Sequence, residues 1–290
     1  MITRPAAVAG LTVACFVAAM RAPMAVLLLA PLALGVPHVV SDLRFLVLSP
    51  GAPGRGAGAW LALPLTLLLA SRVGAALGIP SSAAAEWAIG GLGALGLISL
   101  APHGARRTGV AAAVTVALAV GLEDPRGAAL ILGHLHNLIA LGMLAWLGRP
   151  VVAGAAALPS AVGAALLLGG AADASIGQPF AGLSVDGLAA TLAPGLDPLW
   201  GGRVVACFAF LQLVHYATWV AWIPASSARS WFDDLGRSGV AVAVAASALL
   251  PLLAFADPPA VRATYLSLVL FHGWLELLVG AGAAAGRADA

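Results

Sequence analysis

Long apolar runs dominate the chain, and short polar or Pro/Gly-rich breaks divide them. Placing the breaks at charges, prolines and glycine clusters gives ten candidate helices, near residues 5–20, 24–48, 58–79, 84–101, 108–122, 127–148, 150–170, 202–224, 238–256 and 262–284. Crossing the hydrocarbon core of a bilayer takes about 20 apolar residues in a helix. The runs show no period-2 alternation and are rich in Ala and Leu, which points to helices rather than to a barrel. The expected fold is an all-α polytopic membrane bundle, a single transmembrane domain over residues 1–290. Its longest connection, about 171–201, lies on the external side. That connection is rich in Gly, Pro, Asp and Leu and reads either as a re-entrant flap or as a surface loop. No internal repeat, heptad seam or second domain is visible.

Composition agrees with this pattern. Of the 290 residues 61% are hydrophobic and 9% charged, and the mean hydropathy is +1.01, whereas soluble domains carry about 25% charged residues. In water so much apolar surface would drive association; in a bilayer it needs no burial, because helices satisfy their own backbone groups. The net charge of +2 says little about partners and gives no reason to expect nucleic acid. All fourteen basic residues are Arg. With no Lys amine there can be no Schiff base, so a retinal-binding protein is excluded. Cys15 and Cys207 sit in apolar runs and read as small core residues.

With ten spans both termini share one side. That side collects Arg4, Arg55, Arg106, Arg107, Arg149, Arg229, Arg237 and Arg287, against Arg21, Arg126, Arg203 and Arg262 opposite. The positive-inside rule then puts both termini in the cytoplasm. Residues 1–20 read alternatively as a signal peptide, since Arg4 precedes an apolar stretch and Leu11–Cys15 forms an imperfect lipobox. Arg44, near the cytoplasmic end of its span, can snorkel to the interface. Arg72 is expected to pair between helices or to sit at the interface, and Trp222 to anchor at the membrane surface.

The chemistry lies in the histidines. His103 sits in a loop beside Arg106 and Arg107. His38, His134, His136, His215 and His272 lie within apolar spans, where ionisable groups are costly and usually functional. These are spans two, six, eight and ten, which all run in one direction. His38, His136, His215 and His272 lie roughly 9–12 residues from the cytoplasmic ends, or about 14–18 Å, in one layer near the midplane. Polar neighbours stand three or four residues away, on the same helix face. Asp42 follows His38 and Glu276 follows His272 by four residues, Asn137 follows His134 by three, and Gln212 precedes His215 by three. His134 and His136 point to nearly opposite faces, so one of them is expected to face the centre.

Metal-bound imidazole commonly donates its second N–H to a carboxylate or carbonyl. Imidazoles without thiolates suit Fe, Cu or Zn. The expected site is therefore a metal centre built from His38, His134 or His136, His215 and His272. Asp42 and Glu276 are the candidate catalytic carboxylates, orienting imidazoles or completing the shell. Paired haem ligands and a proton- or metal-coupled transport path are the alternatives.

The segment Gly35-Val36-Pro37-His38-Val39-Val40-Ser41-Asp42 resembles the Gly-x-Pro-His-x-x-x-Asp motif of the Brp/Blh carotenoid oxygenases. These are bacterial and archaeal membrane proteins of comparable length that cleave beta-carotene to retinal with histidine-bound iron and O2. Val39 stands where that family has Gly, and the family's later His-x-x-x-His arrangement has no counterpart here. The resemblance implies His38 as an iron ligand and Asp42 as its partner. It also implies Fe(II) as the metal, a lipophilic small molecule such as a carotenoid reached through membrane lipid, and a bacterial inner membrane as the location.

Overall fold

Proline opens six of the helices, where its missing N–H leaves no bond unmade. The computed structural model describes residues 4–49, 52, 54, 57–147, 149–225, 227, 229–269 and 271–286. In chain order the helices are α1 (Pro5–Arg21), α2 (Pro23–Leu43), α3 (Ala59–Ala76), α4 (Ala83–Ser99), α5 (Ala105–Glu123), α6 (Pro125–Trp146) and α7 (Pro150–Leu168). Then follow the short α8 (Asp173–Ile176) and α9 (Val185–Leu192), α10 (Pro198–Ala217), α11 (Ile223–Ala225), α12 (Trp231–Ala254), α13 (Pro258–Val269) and α14 (Phe271–Ala284). No strand occurs among the described residues beyond one isolated bridge, Phe180 to Leu183, in the 171–201 connection.

The chain is thus an all-helical protein with the character of an integral membrane protein. Seven helices or helix pairs are long and apolar enough to cross a bilayer, and α1, α3 and α4 are shorter apolar helices. The apolar run at 262–284 falls within one candidate span, Pro258–Ala284, whose described parts are α13 and α14. Arg55 and Arg287 lie outside the described residues.

Two helices pass into a π turn. Arg44–Leu48 continues α2, and Thr218–Trp222 continues α10. In the second, the Ile223 N–H bonds the Thr218 carbonyl five residues back. The next bond of that pattern would need an N–H at position 224, which is Pro. Ser41 makes good the loss by donating its Oγ–H to the Trp219 carbonyl at 2.5 Å.

The contacts divide the chain into two compact units. The first holds residues 1–41, 134–232 and 237–263, and the second residues 42–133, 233–236 and 264–290. Within the first, α1 packs on α7 and α10, and α10 also carries α7, α8 and α9. Phe16 and Phe210 meet edge to face, with centroids 5.9 Å apart. Gly163 leaves the space for them, since a Cβ there would come within 2.8 Å of the Phe210 ring. Asp173 in α8 is clamped by Arg203 of α10 through two hydrogen bonds of 3.0 and 2.6 Å, and Ser175 donates to the Met20 carbonyl.

Within the second unit α14 packs on α3, α4 and α5, and α4 packs on α3 and α5. Small residues let membrane helices approach closely. Gly90 of α4 lies against the Trp274 ring, and Trp274 in turn meets Trp87 edge to face at 5.1 Å. Arg72 pairs with Glu86 between α3 and α4. Arg44 does not snorkel: its side chain is 1% exposed and its Nε bonds Asp234 at 2.7 Å. Ser49 donates to the same carboxylate oxygen at 2.9 Å. In place of water, this arginine has a buried anion 190 residues away in sequence.

Candidate metal centre

His38 follows Pro37 inside α2 and is 1% exposed. Its Nδ1 lies 2.7 Å from the Gly35 carbonyl. A carbonyl only accepts, so Nδ1 carries the proton and Nε2 is the ring nitrogen that can accept or ligate. This is the arrangement that orients metal-bound imidazole. His272, 7% exposed, repeats it at the start of α14, where Nδ1 donates to the carbonyl of Val269, three residues back.

His215 lies at the end of α10 and is 1% exposed. Its ring is 5.1 Å from that of His38 and 4.3 Å from that of His136 on α6. Tyr216 flanks the group, 4.8 Å from His38 and 5.8 Å from His215 by ring centroid. One ligand nitrogen from each of His38, His136 and His215, all in the first unit, lies within 4.8 Å of the others. Two nitrogens bound to one ion stand at most about 4.2 Å apart, twice the usual metal–nitrogen bond. The three histidines therefore need only a small inward shift to hold one metal ion.

His134 lies outside this group. Its Nε2 donates to the Leu192 carbonyl at 2.8 Å, and its ring stacks edge-on against Phe208 at 5.3 Å. It ties α6 to the C-terminal end of α9, the helix within the 171–201 connection. His136, two residues on, is the α6 histidine that belongs to the cluster.

Asp42, one turn after His38, and Glu276, one turn after His272, are both wholly buried. They lie within electrostatic reach of each other. Asn137 Nδ2, Gln212 Oε1 and Trp219 Nε1 are buried with no hydrogen-bond partner among the described residues. Buried polar atoms are nearly always paired. Gln212, His215 and Trp219 share one face of α10 and its π turn, and Asn137 adjoins His136. Trp222 is fully buried rather than anchored at the membrane surface. Comparison with family models, curated proteins and solved structures gave no match.

The class that fold and site define is a helical membrane protein whose first unit carries a cluster of histidines, His38, His136 and His215, able to bind a metal ion. One residue of consequence escapes a reading of the sequence. Arg262 counts there as an external loop charge, but it is 8% exposed and its Nε bonds the Leu27 carbonyl. The available signal was Pro31, which deprives that carbonyl of its helical N–H donor.

Proposed function

We propose that the protein is a ten-span membrane metalloenzyme, a non-haem iron oxygenase acting on a lipophilic substrate such as a carotenoid. The observation that carries this reading is the convergence of the His38, His136 and His215 imidazole nitrogens within 4.8 Å. His272, whose Nδ1 is tied to a backbone carbonyl as that of His38 is, is the fourth ligand expected from the sequence. Imidazoles around one point favour a bare ion, because a porphyrin would need the space between them. The absence of thiolate near the histidines fits iron, copper or zinc, and the resemblance around His38 favours iron.

Bound iron would supply redox chemistry with O2, the co-substrate. The chain's own residues do the rest. His38, His136, His215 and His272 hold the ion, and the Gly35 and Val269 carbonyls fix two of the rings. Asp42 and Glu276 place two buried carboxyl groups one helical turn from two of the ligands. Trp219, Trp222 and Phe210, all fully buried, keep water from the neighbourhood of His215. A substrate dissolved in the bilayer reaches such a site without crossing water.

The test is metal analysis with a visible spectrum on protein purified in mild detergent, comparing wild type with His215→Ala. Near-stoichiometric iron without a Soret band, lost in the variant, supports the reading and calls for carotenoid-cleavage assays. A Soret band would move the case to haem. Metal-free protein that carries proton or metal flux in liposomes would make it a transporter.

A further inference from the structure

From Gly201 to Ala217 no residue of α10 is exposed and most are buried. The start of the helix is different. Leu196, just before it, and Leu199 are each 52% exposed, and Trp200 is 47% exposed. The stretch is nevertheless held firmly. The Asp197 carboxylate accepts the backbone N–H groups of Leu199 and Trp200 at 3.1 and 3.2 Å, the cap that the first turn of a helix requires. The Arg203 guanidinium lies 5.2 Å from the Trp200 ring centroid, and Arg203 is itself clamped to Asp173. Helix α9, which precedes the stretch, packs on α10 and is tied to α6 through His134. Three large apolar side chains are thus presented outward from a fixed backbone.

The charges of the same connection bound its depth. Asp173, Asp186 and Asp197 are exposed, and carboxylates at hydrocarbon depth are costly and rare, which argues against a flap that re-enters the core. A loop standing in water would leave Leu196, Leu199 and Trp200 wet. The boundary between head groups and acyl chains answers both constraints, and it is where the amphipathic indole ring concentrates. Length points the same way. The span Pro198–Ala225 has 28 residues, about 42 Å of helix against a hydrocarbon core of about 30 Å. At an average tilt of about 20° it still reaches about 39 Å, so its ends leave the core.

We propose that Leu196, Leu199 and Trp200 form a membrane-surface anchor, which seats the 171–201 connection and the start of α10 at the boundary between lipid head groups and acyl chains. The partner is the lipid interface itself. The anchor also sets how deep α10 carries its histidine. Fifteen residues separate Trp200 from His215, about 22 Å along the axis, so with Trp200 at the edge of a core about 30 Å thick His215 lies inside the core, past its midplane. The anchor does not depend on what the histidines bind.

The experiment is fluorescence quenching on the full chain in phosphatidylcholine bilayers that carry bromine either near the head-group end of the acyl chains or near their tips. Wild type is compared with Trp200→Phe, so that the difference isolates Trp200. That difference is expected to lose most of its intensity to the shallow bromines, less to the deep ones and little to iodide in the water. Quenching chiefly by iodide would put the stretch in water, and quenching chiefly by deep bromines would put it in the core; either overturns the proposal. Protection from every quencher would mean that another protein surface covers the patch, which overturns it too. A second measurement needs no variant. Wild type in the same bilayers is photolabelled with a phosphatidylcholine bearing a diazirine near its head group, and the labelled peptides are mapped. Label is expected on Leu196–Trp200, and label elsewhere on the protein with none on that peptide would refute the anchor.

Discussion

His134 and His136 are two residues apart on α6, yet they have different jobs, and this gives a matched pair of perturbations. Each is replaced by Ala, so helix propensity and lost side-chain volume cancel in the comparison. Structural zinc sites contribute about 10–16 kcal/mol. Shared over four imidazoles, one ligand is worth on the order of 3 kcal/mol, or about a hundredfold in affinity. His136→Ala should therefore weaken metal binding by about two orders of magnitude. His134→Ala removes a hydrogen bond to the Leu192 carbonyl, costs about 1 kcal/mol of stability, and should leave metal affinity within about twofold. Wild type and both variants are dialysed against graded chelator in detergent and the retained metal measured, with circular dichroism to confirm equal helix content. Equal loss of metal in both variants, or none in either, would refute the assignment of His136 to the cluster and His134 to the α9 tether.

The remaining predictions concern the supports of the site. Across 2.7 Å, the Arg44–Asp234 attraction is worth about 6 kcal/mol at an effective dielectric of about 20, offset in large part by desolvation. Asp234→Asn should lower stability by about 3–5 kcal/mol by leaving Arg44 charged and buried. The double variant Arg44→Met, Asp234→Asn should recover much of that in thermal unfolding, and no recovery would count against the pairing. Ser41→Ala leaves the Trp219 carbonyl without its donor and should cost about 1–3 kcal/mol, read from the unfolding midpoint; an unchanged midpoint would mean that this bond does not matter. The hydrogen bonds from Arg203, with its charge, hold the Asp173 carboxyl below its usual range. A depressed carboxylate contributes stability above its unfolded pKa and loses it as pH falls through the folded value. The unfolding difference between wild type and Asp173→Asn should thus stay flat near neutrality and shrink in acid below the ordinary Asp range. A difference that grows in acid would reverse the sign.

The helical class and the polarity of the site were legible because they depend on counting along the chain. A fixed rise per residue places His38, His136, His215 and His272 at similar depth once their spans are drawn. Rotation about each helix axis was less legible. His134 and His136 lie on nearly opposite faces, and the sequence does not say which face meets α10. Long-range pairs were invisible for another reason. Arg44 and Asp234 are each unremarkable in sequence, and the carboxylate that keeps Arg44 inside comes from a segment that reads as a cytoplasmic loop. Trp222 was misjudged because a tryptophan at the end of an apolar run looks the same whether it faces head groups or the interior. The orphaned carbonyls were within reach, since Pro31 and Pro224 announce them, but the donors that answer, Arg262 and Ser41, are settled only by packing.

The π turn at Thr218–Trp222 also bears on how this helix can change over evolutionary time. A π turn accommodates one residue more than an α-helix would over the same stretch. Loss of one residue there would let ordinary helical bonding resume and leave the stretches on both sides facing as they do, because five residues of π turn sweep about the same angle as four of α-helix. Loss of one residue within the regular part of α10 would instead rotate everything beyond it by about 100°. The turn is thus a buffer in which this helix can change length by one residue without re-aiming Gln212 and His215 on one side or Trp222 on the other.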